Sequence, residues 1–419
     1  MPNKTKTEII IPGDKSIFHR AVFLASLAQG KTIIKNAPDS LDCHSTLKCL
    51  KNLGVEYLFE GNTCIINGKT TKNFKKPENI FQAGNSGTTA RLLSGILANL
   101  PFHSELQGDE SLSKRPMERI ISPLLKMGAK IEASENNTLP VKFLPSQLNG
   151  IEHTPTQASS QVKSSLLLAG LLAKGNMSLT EKLLTRDHLE NLFHLTGINF
   201  EQKNLTITLK GGQTPLPFNI ELPGDFSSAA YFIAIALISK NSKIKIKNIG
   251  LNKTRTGLLN VLNRMGANIK IENITYPIPN EPCGNIIVKS TELKGTDLRP
   301  EEVPSLIDEL PLIAVIASQA KGITQISGAG ELRFKESNRI LAITTELKKM
   351  GANIEETTDG FKVIGKTELN GSSLQSYRDH RIAMSLSVAD AIANGQSYIK
   401  GTDSVEISFP NFFEILKNL

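Results

Sequence analysis

Pro12-Gly13-Asp14-Lys15-Ser16-Ile17-Phe18-His19-Arg20 opens an apolar stretch, and 211 positions later Pro223-Gly224-Asp225-Phe226-Ser227-Ser228-Ala229-Ala230-Tyr231 opens another. Each stretch closes on a Lys-Asn step, Lys35-Asn36 in the first and Lys247-Asn248 in the second. The scaffold residues agree between the copies, but Lys15 is matched by Phe226 and Arg20 by Tyr231. The second copy therefore acts as an internal control. The motif folds without the cations, so Lys15 and Arg20 are expected to hold something anionic.

A shorter repeat runs beneath the long one. Leu50-Lys51-Asn52-Leu53-Gly54, Leu125-Lys126-Met127-Gly128, Leu262-Asn263-Arg264-Met265-Gly266 and Leu347-Lys348-Lys349-Met350-Gly351 are one phrase, with a looser copy ending at Gly197. Each predicts the last turn of an amphipathic helix, a left-handed glycine just past it, then a β-strand. The spacings of 74, 69, 69 and 85 residues are too long for ankyrin or tetratricopeptide arrays. They fit a small α/β unit used about six times, split by the Pro12/Pro223 echo into two sets of three. Residues 1–12 are expected to join the second set, and Phe412 to Lys417 to form a last helix with no strand after it.

Composition narrows the class without deciding it. A chain of 419 residues with 39% hydrophobic and 21% charged residues is an ordinary globular protein of two or three domains. A net charge of +8 suits small anionic substrates as well as nucleic acid. The absence of Trp and only 5% aromatics speak against base-stacking platforms. Cys43, Cys49, Cys64 and Cys283 form no CxxC pair, which favours buried free thiols in a reducing cytoplasm over a disulfide or zinc framework. Met1-Pro2-Asn3-Lys4 begins no apolar leader, and the run from Ala229 to Ile238 is too short to cross a membrane. A cytoplasmic monomer with no membrane or nucleic-acid partner is expected.

Six further polar clusters each precede an apolar helix: Asn85-Ser86-Gly87-Thr88-Thr89-Ala90-Arg91, Lys114-Arg115-Pro116, Ser159-Ser160-Gln161-Val162-Lys163, Asp308-Glu309-Leu310-Pro311, Lys335-Glu336-Ser337-Asn338-Arg339 and Tyr377-Arg378-Asp379-His380-Arg381. Pro116 and Pro311 suit first helical positions, and the Ser, Thr, Asp and Asn residues suit N-caps. A helix N-terminus already attracts phosphate and carboxylate through its free N–H groups. With Lys15, Arg20, Arg115, Lys335, Arg339 and Arg381 added, such ends would grip substrates carrying several negative charges. Taken singly, Ser159, Ser160, Thr88 and Asp308 read as simple caps, and Glu336 with Arg339 as an ordinary i,i+3 pair. Ser16 and Arg20 share one face of the first helix, while Ile17, Ala21, Leu24, Ala25 and Ala28 form an opposite buried stripe. Asp308 and Glu336 are the carboxylates set among the cations, and two such groups allow base and acid roles.

In this order, Gly13-Asp14-Lys15-Ser16, Asn85-Ser86-Gly87-Thr88, Arg115-Pro116, Ser159-Ser160-Gln161, Ile307-Asp308-Glu309, Phe334-Lys335-Glu336-Ser337-Asn338-Arg339, Asp379-His380-Arg381 and Ser408-Phe409-Pro410 resemble the 5-enolpyruvylshikimate-3-phosphate synthases, a branch of the enolpyruvyl transferases. The resemblance spans the chain from about Ile10 onward. It implies a two-domain inside-out α/β barrel, three βαβαββ repeats per domain, with a cleft between the domains. Residues 13–223 would be the shikimate 3-phosphate side and residues 224–419, joined by 1–12, the second domain. It also implies transfer of the enolpyruvyl group of phosphoenolpyruvate to the 5-hydroxyl of shikimate 3-phosphate, with no metal or organic cofactor.

Carried over by position, Lys15, Ser16, Arg20, Ser159, Ser160, Gln161, Asp308 and Lys335 resemble the shikimate 3-phosphate contacts. Lys15, Gly87, Arg115, Gln161, Arg339 and Arg381 resemble the phosphoenolpyruvate contacts, which the herbicide glyphosate shares in this family. Asp308 would take the hydroxyl proton, and Glu336 with Lys15 would protonate the methylene carbon. Two positions depart from the pattern. Ile407 stands where some members carry a lysine, and Thr185-Arg186-Asp187-His188 replaces a tyrosine of the shikimate pocket, so Arg186 is expected to reach the phosphate. The nearest rival is transfer to UDP-N-acetylglucosamine, but residues 107–119 lack the reactive cysteine of that branch. An RNA-binding or RNA-end-processing repeat protein and a purely structural scaffold are further alternatives.

Overall fold

The computed structural model describes residues 7–419, and the chain divides into two compact units. The amino-terminal unit comprises Gly13–Leu222 together with Pro277–Glu281. The carboxy-terminal unit comprises, among the described residues, residues 7–12, Pro223–Tyr276 and Pro282–Leu419.

In the amino-terminal unit the helices are α1 (Lys15–Leu27), α2 (Leu41–Asn52), α3 (Gly87–Leu97), α4 (Glu118–Lys126), α5 (Ser160–Leu172) and α6 (His188–Leu195). Three four-stranded sheets alternate with them, each holding one parallel pair and one antiparallel hairpin. The first sheet runs Asn219–Glu221, Gln29–Lys35, Thr63–Lys69, Glu56–Glu60, so its edge strand is supplied by the far end of the unit. The second runs Phe81–Gln82, Ser104–Gln107, Val141–Leu144, Lys130–Ala133, and the third Glu152–His153, Asn176–Thr180, Thr206–Lys210, Phe200–Lys203. Each repeat is thus βαβαββ, with the first one closed circularly.

Helices α1, α3 and α5 lie inside, and the sheets and α2, α4 and α6 wrap them. Every residue of α1 from Ile17 to Leu27 is buried, His19 and Arg20 included. This corrects the one-sided stripe expected for α1: a helix ringed by packed elements has no solvent face, so its polar residues are internal too. The outer α2 is amphipathic, burying Cys43, Thr46, Leu47, Cys49 and Leu50.

The carboxy-terminal unit repeats the plan with α7 (Phe226–Ile238), α8 (Gly257–Arg264), α9 (Leu310–Ser318), α10 (Arg339–Lys349), α11 (His380–Asp390) and α12 (Phe412–Lys417). Its first sheet borrows Thr7–Ile10, which pairs in parallel with Lys243–Gly250. Its third repeat has only the strand pair Ser373–Gln375 and Tyr398–Lys400, and α12 stands where a hairpin would be. Phe412 of α12 packs on Tyr231, Phe232 and Phe409 instead.

The repeated phrases have clear local causes. Gly54, Gly128, Gly197, Gly266 and Gly351 have φ between +71° and +95°. In each case the next residue's N–H reaches back five residues to a helical carbonyl, as in Val55 to Leu50 and Ala352 to Leu347. That bond absorbs an orphan carbonyl at the helix end. A Cβ on Gly13 would lie 1.9 Å from the Asn36 carbonyl, so the Pro-Gly-Asp and Lys-Asn pieces of the motif meet and admit only glycine. All four cysteines are free and buried.

Candidate functional site

Capping fixes where the polar groups stand. Asp14, Ser86 and Ser159 accept N–H groups from the first turns of α1, α3 and α5, and Asp225, Asn338 and Asp379 do so for α7, α10 and α11. These bonds start the helices of the charged clusters at defined residues. Pro116 and Pro311 do not take the first helical position expected of them: α4 begins at Glu118, and Pro311 is the second residue of α9.

In the amino-terminal unit the starts of α1, α3 and α5 gather most of the cations. Lys15 is the first residue of α1, with its Nζ 3.0 Å from Asp42. Buried Arg20 donates to Ser164 Oγ at 2.9 Å and to the carbonyls of Ser16 and Ser160 at 2.8 and 3.3 Å, so it ties α1 to α5. Arg186 donates to Ser16 Oγ at 3.2 Å. Gln161 accepts from Arg91 at 2.6 Å and donates to Thr88 Oγ1 at 2.9 Å, while Arg115 donates to Asn85 at 2.9 Å. A Cβ on Gly87 would meet Arg91 Nη1 at 2.9 Å and Arg115 Nη1 at 3.4 Å. The two guanidiniums therefore flank the bare backbone at the start of α3. Thr88 is not a cap but a partner of Gln161, and Ser159 is the cap.

Lys163 belongs to a different structure. It is 1% exposed, 3.0 Å from Glu181 and 2.7 Å from Glu190, and is a buried ion triad. His188, which has no ligand-spaced neighbour in sequence, pairs through Nδ1 with Glu281 at 2.6 Å, and Asn191 donates to the same carboxylate.

The carboxy-terminal unit gathers the carboxylates. Asp308 lies in a short 3-10 turn before α9, with Arg339 and Arg381 nitrogens at 3.6 Å and Arg255 at 3.8 Å. Arg339 is gripped by Asp379 through Nε at 2.8 Å and Nη2 at 3.2 Å, and Glu336 lies 2.5 Å from Nη2. Burial opposes the charge of Arg339, but Asp379 and Glu336 outweigh it and hold its pKa above the ordinary value. The same balance holds Arg381 charged, with Asp308 the main support. Burial pushes the Glu309 carboxyl up, with Arg255 opposing and Asp308 reinforcing. Lys335 is half-buried, and desolvation draws its ammonium below the usual lysine range against the pull of Asp308. Tyr231, the counterpart of Arg20, sits near Arg381 and is pushed up to about 12, chiefly by burial.

Arg91 was quoted within its cluster but given no role, and Arg255 escaped the sequence reading altogether. Arg91 lies four residues after Gly87, on the same helix face, so spacing alone could have found it. Arg255 donates to Ser227 at 2.8 Å and precedes α8 as the other cations precede their helices, within Lys253-Thr254-Arg255-Thr256-Gly257.

The arrangement has known counterparts. Residues 1–416 match the family described as EPSP synthase (3-phosphoshikimate 1-carboxyvinyltransferase). The chain is 45% identical over 418 residues to a 3-phosphoshikimate 1-carboxyvinyltransferase of Bacillus cereus, covering all of this chain and 97% of that one. It is 45% identical over 413 residues to the Bacillus pumilus protein of that name, covering 98% and 96%. An EPSP synthase structure from Acinetobacter baumannii superposes with a TM-score of 0.87 at 39% identity, over 99% of this chain and 95% of that one. The enolpyruvyl transferase NikO of Streptomyces tendae, 16% identical, shares the fold with a TM-score of 0.82 over 100% and 95%. Family match, identity and superposition agree over the whole length: the chain belongs to the EPSP synthase family, the 3-phosphoshikimate 1-carboxyvinyltransferases.

Proposed function

We propose that Asp308 and Glu336 carry the proton transfers of this enzyme. The reaction itself follows from the family: the enolpyruvyl group of phosphoenolpyruvate is transferred to the 5-hydroxyl of shikimate 3-phosphate and phosphate is released, a step of aromatic amino-acid biosynthesis. Transfer to UDP-N-acetylglucosamine is not favoured by these relatives.

The observation that carries the assignment is Asp308 standing 3.6–3.8 Å from three arginines. The arginines favour the ionised form of this carboxylate, the form that can accept the hydroxyl proton, and they can stabilise charge that builds on a tetrahedral intermediate. Glu336, held by Arg339, is assigned the acid role toward the methylene carbon, and Lys15 is assigned to the same step. Lys15, Ser16, Arg20, Ser159, Ser160, Gln161, Arg186, Asp308 and Lys335 are assigned to shikimate 3-phosphate. Lys15, Gly87, Arg115, Gln161, Arg339 and Arg381 are assigned to phosphoenolpyruvate.

Residues 13–223 and residues 224–419 with 1–12 would be the two enolpyruvyl transferase domains. Among the described residues no helix is long and apolar enough to cross a membrane. The enzyme is proposed to act as a cytoplasmic monomer with no nucleic-acid partner. A phosphate-release assay tests the core: release should need both substrates, and UDP-N-acetylglucosamine should not replace shikimate 3-phosphate. Release in the absence of either substrate would overturn it.

A further inference from the structure

We propose that Glu346 and Tyr377 are positioning residues that hold a strained turn, and through it aim Asp379, Arg339 and Arg381 at the phosphoenolpyruvate anion. The proposal rests on the assignment of Arg339 and Arg381 to that anion.

The turn is Ser376-Tyr377-Arg378-Asp379, closed by the Asp379 N–H donating to the Ser376 carbonyl at 2.9 Å. Both central residues are left-handed, Tyr377 with φ 57° and Arg378 with φ 55°. Two positive φ values in succession are the signature of a type I′ turn, which strongly favours Asn-Gly or Asp-Gly. Tyr-Arg is a poor sequence for it, because a bulky side chain in this region crowds its own backbone. Such a conflict between local preference and observed backbone persists only where the surroundings enforce it, and it tends to mark functional sites.

The enforcing contacts are specific. Glu346 is fully buried, and its two oxygens accept from the Tyr377 hydroxyl at 2.8 Å and the Gln375 N–H at 3.0 Å. Lys349 balances its charge at 2.8 Å. Ser376 Oγ donates to the Gly401 carbonyl at 2.9 Å and accepts the Arg378 N–H at 3.2 Å.

What the turn delivers is Asp379, itself fully buried. One of its oxygens accepts the Arg381 N–H at 2.9 Å and Arg339 Nη2 at 3.2 Å, and the other accepts Arg339 Nε at 2.8 Å and Ser337 Oγ at 3.0 Å. Asp379 therefore sets both the start of α11, where Arg381 sits, and the plane of the Arg339 guanidinium. Arg339 and Glu346 are seven residues apart on α10, two turns along one face. A single helix thus grips the loop on both sides of the strained pair. Geometry this tight is what binding a small anion with fixed cations requires, since a shift of about 1 Å at a positioning group costs affinity or rate.

The test measures KM for each substrate, kcat and melting temperature on the full chain carrying Tyr377→Phe, Glu346→Gln, Arg378→Gly, Tyr377→Phe with Arg378→Gly, or Arg381→Ala. Losing the Tyr377 hydroxyl should raise KM for phosphoenolpyruvate about tenfold, the scale of one hydrogen bond to a charged group, and leave KM for shikimate 3-phosphate unchanged. Glu346→Gln should act in the same direction. Arg378→Gly alone should resemble wild type. In the double variant glycine relieves the Arg378 half of the strain, so the hydroxyl matters less and KM for phosphoenolpyruvate should return part of the way toward wild type. A fall in melting temperature with both KM values intact, an equal rise in both, or no rescue by glycine would overturn the proposal. If Arg381→Ala leaves KM for phosphoenolpyruvate untouched, the anion-site assignment beneath it fails instead, whatever the turn variants do.

Discussion

Arg381 is largely buried, charged and supported by Asp308 and Glu309, so removing it strips one cation from the proposed phosphoenolpyruvate site. Arg381→Ala is expected to weaken phosphoenolpyruvate binding by about 1.5–3 kcal/mol, roughly tenfold to 150-fold, read as a rise in KM. Glu336→Gln keeps the shape and an acceptor for Arg339 but cannot deliver a proton. Turnover should fall with little change in either KM, and wild-type turnover would reduce Glu336 to a structural partner of Arg339. Gly87→Ala should be felt through the arginines, because the new methyl lands 2.9 Å from Arg91 and 3.4 Å from Arg115. Both guanidiniums must shift, so KM for phosphoenolpyruvate should rise and inhibition by glyphosate should weaken further; inhibition curves that superpose on wild type would contradict this. At this scale the sequence marked the polar clusters but not how their side chains are held. Arg20 was assigned to substrate from its contrast with Tyr231, and nothing in the sequence said that it also bonds Ser164 Oγ and the Ser160 carbonyl across 140 residues or more. Long-range partners such as Arg255 with Asp308, or His188 with Glu281, depend on topology and leave no local trace.

Elements show the reverse balance. The helix ends were legible because a glycine past the last turn has one dominant structural meaning, and all five fell in the left-handed region. Gly266 is the cleanest test, since a Cβ there meets nothing within 4 Å and only the backbone conformation is at stake. Gly266→Ala should cost about 1 kcal/mol of stability, measured as a lower urea midpoint at unchanged activity. Which helices are central was not legible. An amphipathic reading of α1 fails because its polar residues, His19 among them, are satisfied inside: His19 Nδ1 lies 2.7 Å from Thr46 Oγ1. Burial, aided by Lys15 and Arg20, lowers the His19 pKa from 6.5 to about 3. The unfolded chain then binds a proton that the folded one refuses between those values, so stability is full above about pH 6.5 and declines as the pH falls toward 3. The slope from this one group is at most about 1.4 kcal/mol per pH unit. Urea midpoints at pH 7 and pH 5 should differ less in His19→Gln than in wild type; equal differences would exclude His19 as a source.

At the scale of the molecule, the Pro12/Pro223 echo and the glycine phrase together led to two sets of α/β units, and the family carries that architecture. The exceptions came from tertiary constraints. The sixth unit lacks its hairpin, and aromatic packing of Phe412 on Tyr231, Phe232 and Phe409 covers the core there. The tip Pro277–Glu281 leaves its own hairpin's unit and buries Ile278 and Glu281 in the amino-terminal one, which no periodicity in residues 268–289 announces. Neither unit is a continuous length of chain. The strand Thr7–Ile10 is translated first, yet its partner Lys243–Gly250 leaves the ribosome only after more than two hundred further residues. The first repeat likewise lacks its edge strand until Asn219–Glu221 has been made. Nascent chains must therefore carry an unpaired β-edge until Gly250 has been made, and chaperone capture should concentrate on that early segment until then.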